Sequence, residues 1–435
     1  MLQSETVKKY DTYKDSEIEW IGEIPSDKNL LRNKYFLKYI KGKNPELLNS
    51  ESKGVPYVGA SELDNLTGTA EYENYTEQLE LPQCTNSNVL VLWDGARAGL
   101  IGKNHCGAIS STIIKLEPNL NKINENYLFY YLKGFEKFLY DRVNGTTIPH
   151  MNKDYIEEIR WIDFTIDEQQ RIADYLDKKC GEIDRVVETE KAVIEKLKEY
   201  KQSIITEAVT KGLDKSAPLK DSGIEWIGRI PEHWEVIKLK KTISLIADID
   251  HYMPDTTDTG YSYLMTGDLK DVASKIDFEN CKHISESDYK DLSKKIHPIL
   301  DDVIFARYAT IGTVCYVDIQ RDFLVSYSCL TIRPNSEKLF GKFLYYYLNS
   351  DTFKIEVSQY INSNTQSNVG LDSLQKVYMV LPNKEEQQQI AEYLDKKCSE
   401  IDKAIADKEQ VIEKFTEYKK SLIYECVTGK RKVAM

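Results

Sequence analysis

The stretch IADYLDKKCGEID at residues 172–184 returns as IAEYLDKKCSEID at residues 390–402, with eleven of thirteen positions identical. A second phrase recurs upstream of each copy, IEWIGEIP at 18–25 and IEWIGRIP at 224–231. The first pair is offset by 218 residues and the second by 206, so the segment between the phrases is 12 residues longer in the second half. A duplicated frame carrying two non-identical inserts is how a chain would read two different things at a fixed separation.

Around each copy of the longer phrase the apolar residues repeat in sevens. Leu176, Ile183, Leu197 and Ile204 share one heptad position, with Cys180, Val187, Ile194 and Ala208 four residues later. Leu394, Ile401, Phe415 and Leu422 match them, followed by Cys398, Ile405, Ile412 and Cys426. This pattern predicts long helices over 166–209 and 384–427, each roughly 65 Å long at 1.5 Å per residue. Both open on acidic turns (Asp167, Glu168; Glu385, Glu386), which suit the helix dipole, and run out near Gly212 and Gly429. Seams this narrow must be buried against another helix. The economical partner is the other copy, packed antiparallel so that the modules sit at opposite ends of a rod. The candidate seam is Leu176, Ile183, Val187, Ile194, Leu197 and Ile204 with Leu394, Ile401, Ile405, Ile412, Phe415 and Leu422. Glu190, Lys201, Lys408 and Lys419 interrupt it at equivalent places, either setting register or lying at an exposed rim.

Between the phrases, short β-type runs such as Val89–Trp93 and Val303–Ala306 alternate with glycine and asparagine turns and brief helical stretches, as in compact α/β modules. The inserts align on this frame. Ala96-Arg97-Ala98-Gly99 answers Ala309-Thr310-Ile311-Gly312 directly after a hydrophobic run, and Asn144-Gly145-Thr146-Thr147 answers Asn362-Ser363-Asn364-Thr365. Gly99 and Gly312 suit tight turns after a strand. The expected fold class is α+β: two pseudo-symmetric α/β domains held apart by two long helices that pair as an antiparallel coiled coil. The divisions fall at 1–165, 166–213, 214–383 and 384–435.

Bulk properties narrow the field further. No apolar run approaches 18 residues and no signal pattern opens the chain, so neither a membrane span nor secretion is expected, and a cytoplasmic location is. The eight cysteines are scattered without ligand spacing and read as reduced core thiols rather than a disulfide framework or a zinc site. The net charge of −12 argues against a uniformly basic nucleic-acid binder, and each module carries 19 basic and 24 acidic side chains. Locally the balance reverses: from Lys28 to Lys43 there are six basic residues and no acid, with Lys238, Lys240 and Lys241 in the matching stretch. Phosphate contact needs such a local positive face. A solvated lysine-rich face has the same signature.

The tryptophan–isoleucine–glycine…proline phrase, the starts Glu168-Gln169-Gln170 and Glu386-Gln387-Gln388, and the paired long helices together resemble the specificity (S) subunits of type I restriction–modification enzymes, over essentially the whole chain. The resemblance implies two target-recognition domains (1–165 and 214–383), each reading one half of a split double-stranded DNA site. It also implies two conserved helical regions that space these domains and dock two methyltransferase (M) subunits, with restriction/translocase (R) subunits completing the complex. S-adenosylmethionine, ATP and magnesium then belong to the partner subunits, and none of them to this chain. One departure stands out: the family's tryptophan after the proline is Trp234 in the second half but Lys28 in the first.

Sequence readout needs donors and acceptors at base edges in the major groove, where all four base pairs differ. Arg97 in one post-strand segment, and Arg307, Tyr308 and Thr310 in the other, are candidates. So are the loops bearing Asn144, Thr146 and Thr147, and Asn362, Asn364, Thr365 and Gln366, and an expected exposed cluster of Lys103, Asn104 and His105. Lys34, Lys38, Lys41, Lys43, Lys238, Lys240 and Lys241 are candidate phosphate contacts. Taken singly, each also reads as ordinary loop polarity. Catalytic signals are absent: there is no Pro-Pro pair of the kind that cradles a flipped adenine, no P-loop, and Asp301-Asp302 reads as a turn. No catalytic residue and no metal site are expected. Two other readings share these features, a protein-binding scaffold suited to the acidic balance and a specificity subunit serving a methylase outside a restriction complex.

Overall fold

The computed structural model describes residues 8–32, 36–64, 72–143, 149–362 and 368–433. Its packing forms two compact units, residues 1–191 with 409–435, and residues 192–408. The divisions fall inside the two long helices, Ile166–Lys211 and Lys384–Val427, rather than at the ends of the repeats.

In the first unit a four-stranded antiparallel sheet runs in the order Leu37–Lys41, Ile113–Pro118, Val89–Leu92, Ile101–Gly102. The uninterrupted apolar run at Val89–Leu92 follows from burial on both faces. Val89, Val91 and Trp93 face a core shared with Tyr127, Leu128 and Trp161, whereas Leu90 and Leu92 face a second core with Val58, Ile109 and Ile113. A parallel pair, Val55–Val58 with Gly107–Ile109, builds that second layer. The second unit repeats the plan, with Ile243–Ala247, Cys329–Pro334, Val303–Ala306 and Val314–Tyr316 in the same order and Tyr261–Leu264 parallel to Phe323–Val325. Val303 and Phe305 again face one core, Ile304 and Ala306 another.

Each unit is closed by the beginning of one long helix and the end of the other. In the first, Leu176, Cys180 and Ile183 share a core with Leu422, Ile423, Cys426 and Val427, with Val187 and Phe415 partly buried against it. In the second, Ile204, Ile205 and Ala208 share a core with Ile390, Ala391, Leu394, Cys398 and Ile401, with Leu197 and Ile405 at its edge. Start against end in both units means that the helices run antiparallel. Ile194 is buried and Ile412 half-buried. Lys201 and Lys419, which interrupt the heptads, reach Asp402 and Asp184 respectively, each at 2.7 Å. These two pairs are related by the 218-residue repeat, so two of the four polar interruptions are ion-paired at the rim of the seam.

The phrases explain how the helices are seated. Thr165 and Glu168 form a capping box: the Glu168 amide donates to the Thr165 hydroxyl and the Thr165 amide to Glu168 Oε2. Behind them Gln169, fully buried, donates to the carbonyls of Phe164 and Lys122 and accepts from the Asn124 amide. Gln387 does the same with Pro382, Lys338 and Phe340, so the middle glutamine of each Glu-Gln-Gln start ties helix to module. At the other ends Gly212 and Gly429 adopt φ of +75° and +73°. A Cβ would lie 3.1 Å from the Trp234 ring at Gly212 and 2.7 Å from Pro25 at Gly429. The end of each long helix is therefore seated on the Trp-Ile-Gly…Pro region, Ala208 and Val209 sharing a core with Ile227, Ile230 and Trp234, and the Tyr424 hydroxyl donating to the carbonyls of Trp20 and Ile21.

Gly429→Val is expected to destabilise the chain more than Gly312→Val. Both positions have positive φ, but a Cβ at Gly312 meets nothing within 4 Å. The added overlap with Pro25 should cost about 1–3 kcal/mol beyond the backbone strain, read as a lower urea midpoint. Equal losses would mean that the helix end is not seated on the phrase.

Candidate nucleic-acid interface

In the first unit the chain leaves the central strand through Trp93 and turns over Asp94–Gly99, where the Gly99 amide donates back to Leu92 O at 2.8 Å. A distant segment returns beside this turn. Gly95 N donates to Pro149 O at 3.2 Å, Met151 N donates to Trp93 O at 2.7 Å, and Asp94 bridges His150. The second unit is built alike: Gly312 N donates to Ala306 O at 3.1 Å, Val369 N donates to Arg307 O at 3.1 Å, and Tyr308 bridges Asn368. Two segments far apart in sequence are thus neighbours in each unit. Lys34, Asn144, Thr146, Thr147, Asn364, Thr365 and Gln366 lie outside the described residues. Of Asn362 only the backbone is described, and it pairs with Asn368.

The side chains on this frame differ in a systematic way. In the first unit Asp94 Oδ1 meets His150 Nδ1, and Asp94 Oδ2 lies 3.5 Å from Lys41 Nζ. In the second, Arg307 Nη2 lies 3.4 Å from Asp248 Oδ2, and Lys295 Nζ lies 3.0 Å from Asp248 Oδ1. Ile40 faces Lys115 and Ala247 faces Thr331, at the same step of the matching six-residue strands Ile113–Pro118 and Cys329–Pro334. Lys41 and Asp248, the next residues, therefore hold the same place. An ion pair ties edge strand to post-strand turn in both units, with the charges exchanged. Burial pushes the Asp248 carboxyl up, but hydrogen bonds from Lys295 and His251 and the Arg307 charge outweigh it and hold it below the usual carboxylate range.

Lys38 and Lys41 are exposed, but strand alternation sends them to opposite faces; Lys43, Lys240, Lys241 and Thr310 are exposed as well. Lys238 is half-buried, its ammonium 5.3 Å from the Tyr378 ring centre, and Tyr308 is half-buried with its hydroxyl accepting from Arg307. Arg97 is exposed and donates to Ala60 O at 2.6 Å.

Three expectations need correction. Arg307 is not an open guanine fork: it is buried, with its guanidinium engaged by Asp248, His251 and Tyr308. Lys103-Asn104-His105 is not an exposed cluster. Lys103 is buried and donates to Asn126 Oδ1 at 2.6 Å, Asn104 is half-buried at φ +67°, and His105 is fully buried, with desolvation lowering both the lysine and histidine pKa values. Lys28 belongs to the interior too. Its ammonium meets both Glu168 oxygens at 2.7 and 2.8 Å, just as Trp234 Nε1 reaches Glu386 in the second unit. The sequence reading missed Asp94, His150, Asp248, His251 and Lys295; of these only Asp94 had a signal, its place straight after the apolar run. Among the described residues no group of three or more His, Cys, Asp or Glu is placed to hold a metal, and no helix is long and apolar enough to cross a membrane.

Residues 25–199 and 231–414 match the family described as the type I restriction modification DNA specificity domain, one match per half. The chain belongs to this family of type I restriction–modification specificity subunits. It is 29% identical over 416 residues to the MjaVIII specificity subunit of a type I restriction enzyme from Methanocaldococcus jannaschii, covering 94% of each chain. It is 21% identical over 311 residues to the EcoBI specificity subunit from Escherichia coli, covering 70% of this chain and 65% of that one. A chain solved in work on complex assembly and conformational transition of the type I R-M system shares the fold, with a TM-score of 0.66 at 16% identity over 93% of this chain and 98% of that one.

Lys28→Met is expected to cost about 1 kcal/mol at neutral pH, less than a fully buried pair because Glu168 keeps some contact with water. Burial raises the Glu168 carboxyl, but Lys28 and the Thr165 amide more than offset this and leave it below its ordinary 4.5. A depressed folded-state value contributes stability above 4.5 that is lost as pH falls through it, so the gap between wild type and variant should narrow in acid. Thermal unfolding at pH 7 and pH 3.5 measures this, and a constant gap would show that the pair does not hold Glu168 ionised.

Proposed function

We propose that this chain is the DNA-recognition subunit of a type I restriction–modification complex. It binds a bipartite, asymmetric double-stranded site, one half-site per target-recognition domain (1–165 and 214–383), and the paired helices (166–213 and 384–435) set the spacer and dock the partners. The supporting observation is the recurrence of one turn-and-loop frame in both units with different side chains mounted on it. Equal frames present their residues in equal geometry, and unequal residues select unequal base letters. Lys41, Lys43, Lys240 and Lys241, all exposed, supply phosphate contacts, whereas Lys38 lies on the strand face opposite Lys41. Arg307 supports the frame from inside. This chain has no catalytic step of its own. Methyl transfer, ATP-driven translocation and cleavage fall to two M subunits and the R subunits, which carry S-adenosylmethionine, ATP and magnesium.

A methylation map of cells carrying this chain with its methyltransferase, against cells lacking only this chain, tests the reading. The expected result is a split, asymmetric adenine-methylated motif that disappears without the chain. No difference, with both proteins present and associated, would overturn it. Replacing residues 28–165 by another such module should change one half-site alone. Alanine at Lys41 and Lys43 should weaken binding to all sequences alike and flatten the salt dependence by about one unit of log–log slope per lost phosphate contact; an unchanged slope would remove these lysines from the phosphate face.

A further inference from the structure

The exchanged charges give the two modules different reading chemistry. We infer that Asp94 is the specificity-determining residue of the first module and accepts a hydrogen bond from an exocyclic amine in the major groove, cytosine N4 or adenine N6. This rests on the DNA-reading function proposed above.

Three observations carry the inference. First, Asp94 stands on the turn that leaves the central strand, its backbone bridged to His150, so a rigid sheet fixes its position. A carboxylate on a DNA-facing turn is repelled by phosphate, and the groove groups that donate to it are the amines of cytosine and adenine. Second, the Lys41 ammonium and the His150 ring that flank it are themselves open to solvent. The Asp94 side chain is 34% exposed, Lys41 53% and His150 56%. Lys41 lowers the electrostatic cost of bringing a carboxylate to a polyanion, and each carboxylate oxygen has two acceptor sites, so the pairing leaves capacity for a base. Third, an ion pair this exposed contributes little to stability. The pair in the second module starts one residue earlier on the frame, since Arg307 answers Trp93, and is of the other kind: Asp248 and Arg307 are each only 10% exposed in their side chains, which makes that pair an internal support. Tyr308 takes the place of Asp94 there, bridging Asn368 as Asp94 bridges His150.

The test uses the complex of the full chain with its methyltransferase subunits, on duplexes carrying the sequence that the wild-type complex recognises. Each cytosine and adenine of the first module's half-site, on both strands, is replaced in turn by an analogue lacking the amine (2-pyrimidinone for cytosine, purine for adenine). At one position the loss of the amine should weaken wild-type binding about 5- to 150-fold, the range of a good base contact, and leave Asp94→Ala almost unaffected. Asp94→Asn should shift the preference there towards adenine, whose N6 and N7 an amide can grip together. The inference is overturned if every analogue costs wild type and Asp94→Ala the same while the variant keeps its melting temperature and still discriminates at the second half-site. A wild-type complex that recognises no bipartite sequence overturns the proposed function, and this inference with it.

Discussion

A stripe of apolar side chains at seven-residue spacing cannot be left in water, and the rest of this structure follows from how the two stripes are covered. The start of the central helix and the end of the C-terminal helix bury each other in one unit, and the remaining halves do so in the other. Each helical pair also forms one wall of its module's core, because Leu176 and Leu394 pack into the same clusters as the central strands. Module folding and helix pairing are therefore a single event in each unit. The buried glutamines at 169 and 387 and the glycines at 212 and 429 fix both ends of that wall.

How much of this could be read from residues alone depended on the range of the interaction concerned. Helix extent, direction of packing and helix ends were legible, since heptad spacing, acidic first turns and a terminal glycine are local signals. The apolar runs at Val89 and Val303 announced strands, and the second core layer packed on each sheet is what buries both of their faces. Side-chain placement at the reading turns was not legible, because it depends on which strand end lies beside which. Arg307 looks like an open donor in the sequence, and becomes an internal strut only once Asp248 is known to end the neighbouring strand. Lys28 counted towards a basic face until the helix start brought Glu168 to it. His150 had no sequence signal, because its meeting with Asp94 needs the sheet and the returning segment together.

The acidic balance also takes on a different meaning in three dimensions. Several of the basic groups are neutralised by specific acids that hold elements together: Lys28 by Glu168, Lys201 by Asp402, Lys419 by Asp184, Arg333 by Asp302. Net charge therefore says little about the surface offered to a partner. What matters is which cations remain exposed, and Lys38, Lys43, Lys240 and Lys241 are among them.

The unequal continuity of the two units bears on the order in which the protein comes into being. Residues 192–408 form one unbroken segment, so every side chain of that unit's core has been made before the second segment of the other unit. The other unit is built from two separate segments, and its core lacks Leu422, Ile423, Cys426 and Val427 until the residues beyond 408 have been made. Domains fold as units during synthesis, and contacts between distant segments form late. The first module to be made is thus the last to be finished, and it waits with an open apolar wall while the second closes. A chain cut short after residue 408 would keep one unit's sequence whole and leave the other without the end of its helical wall.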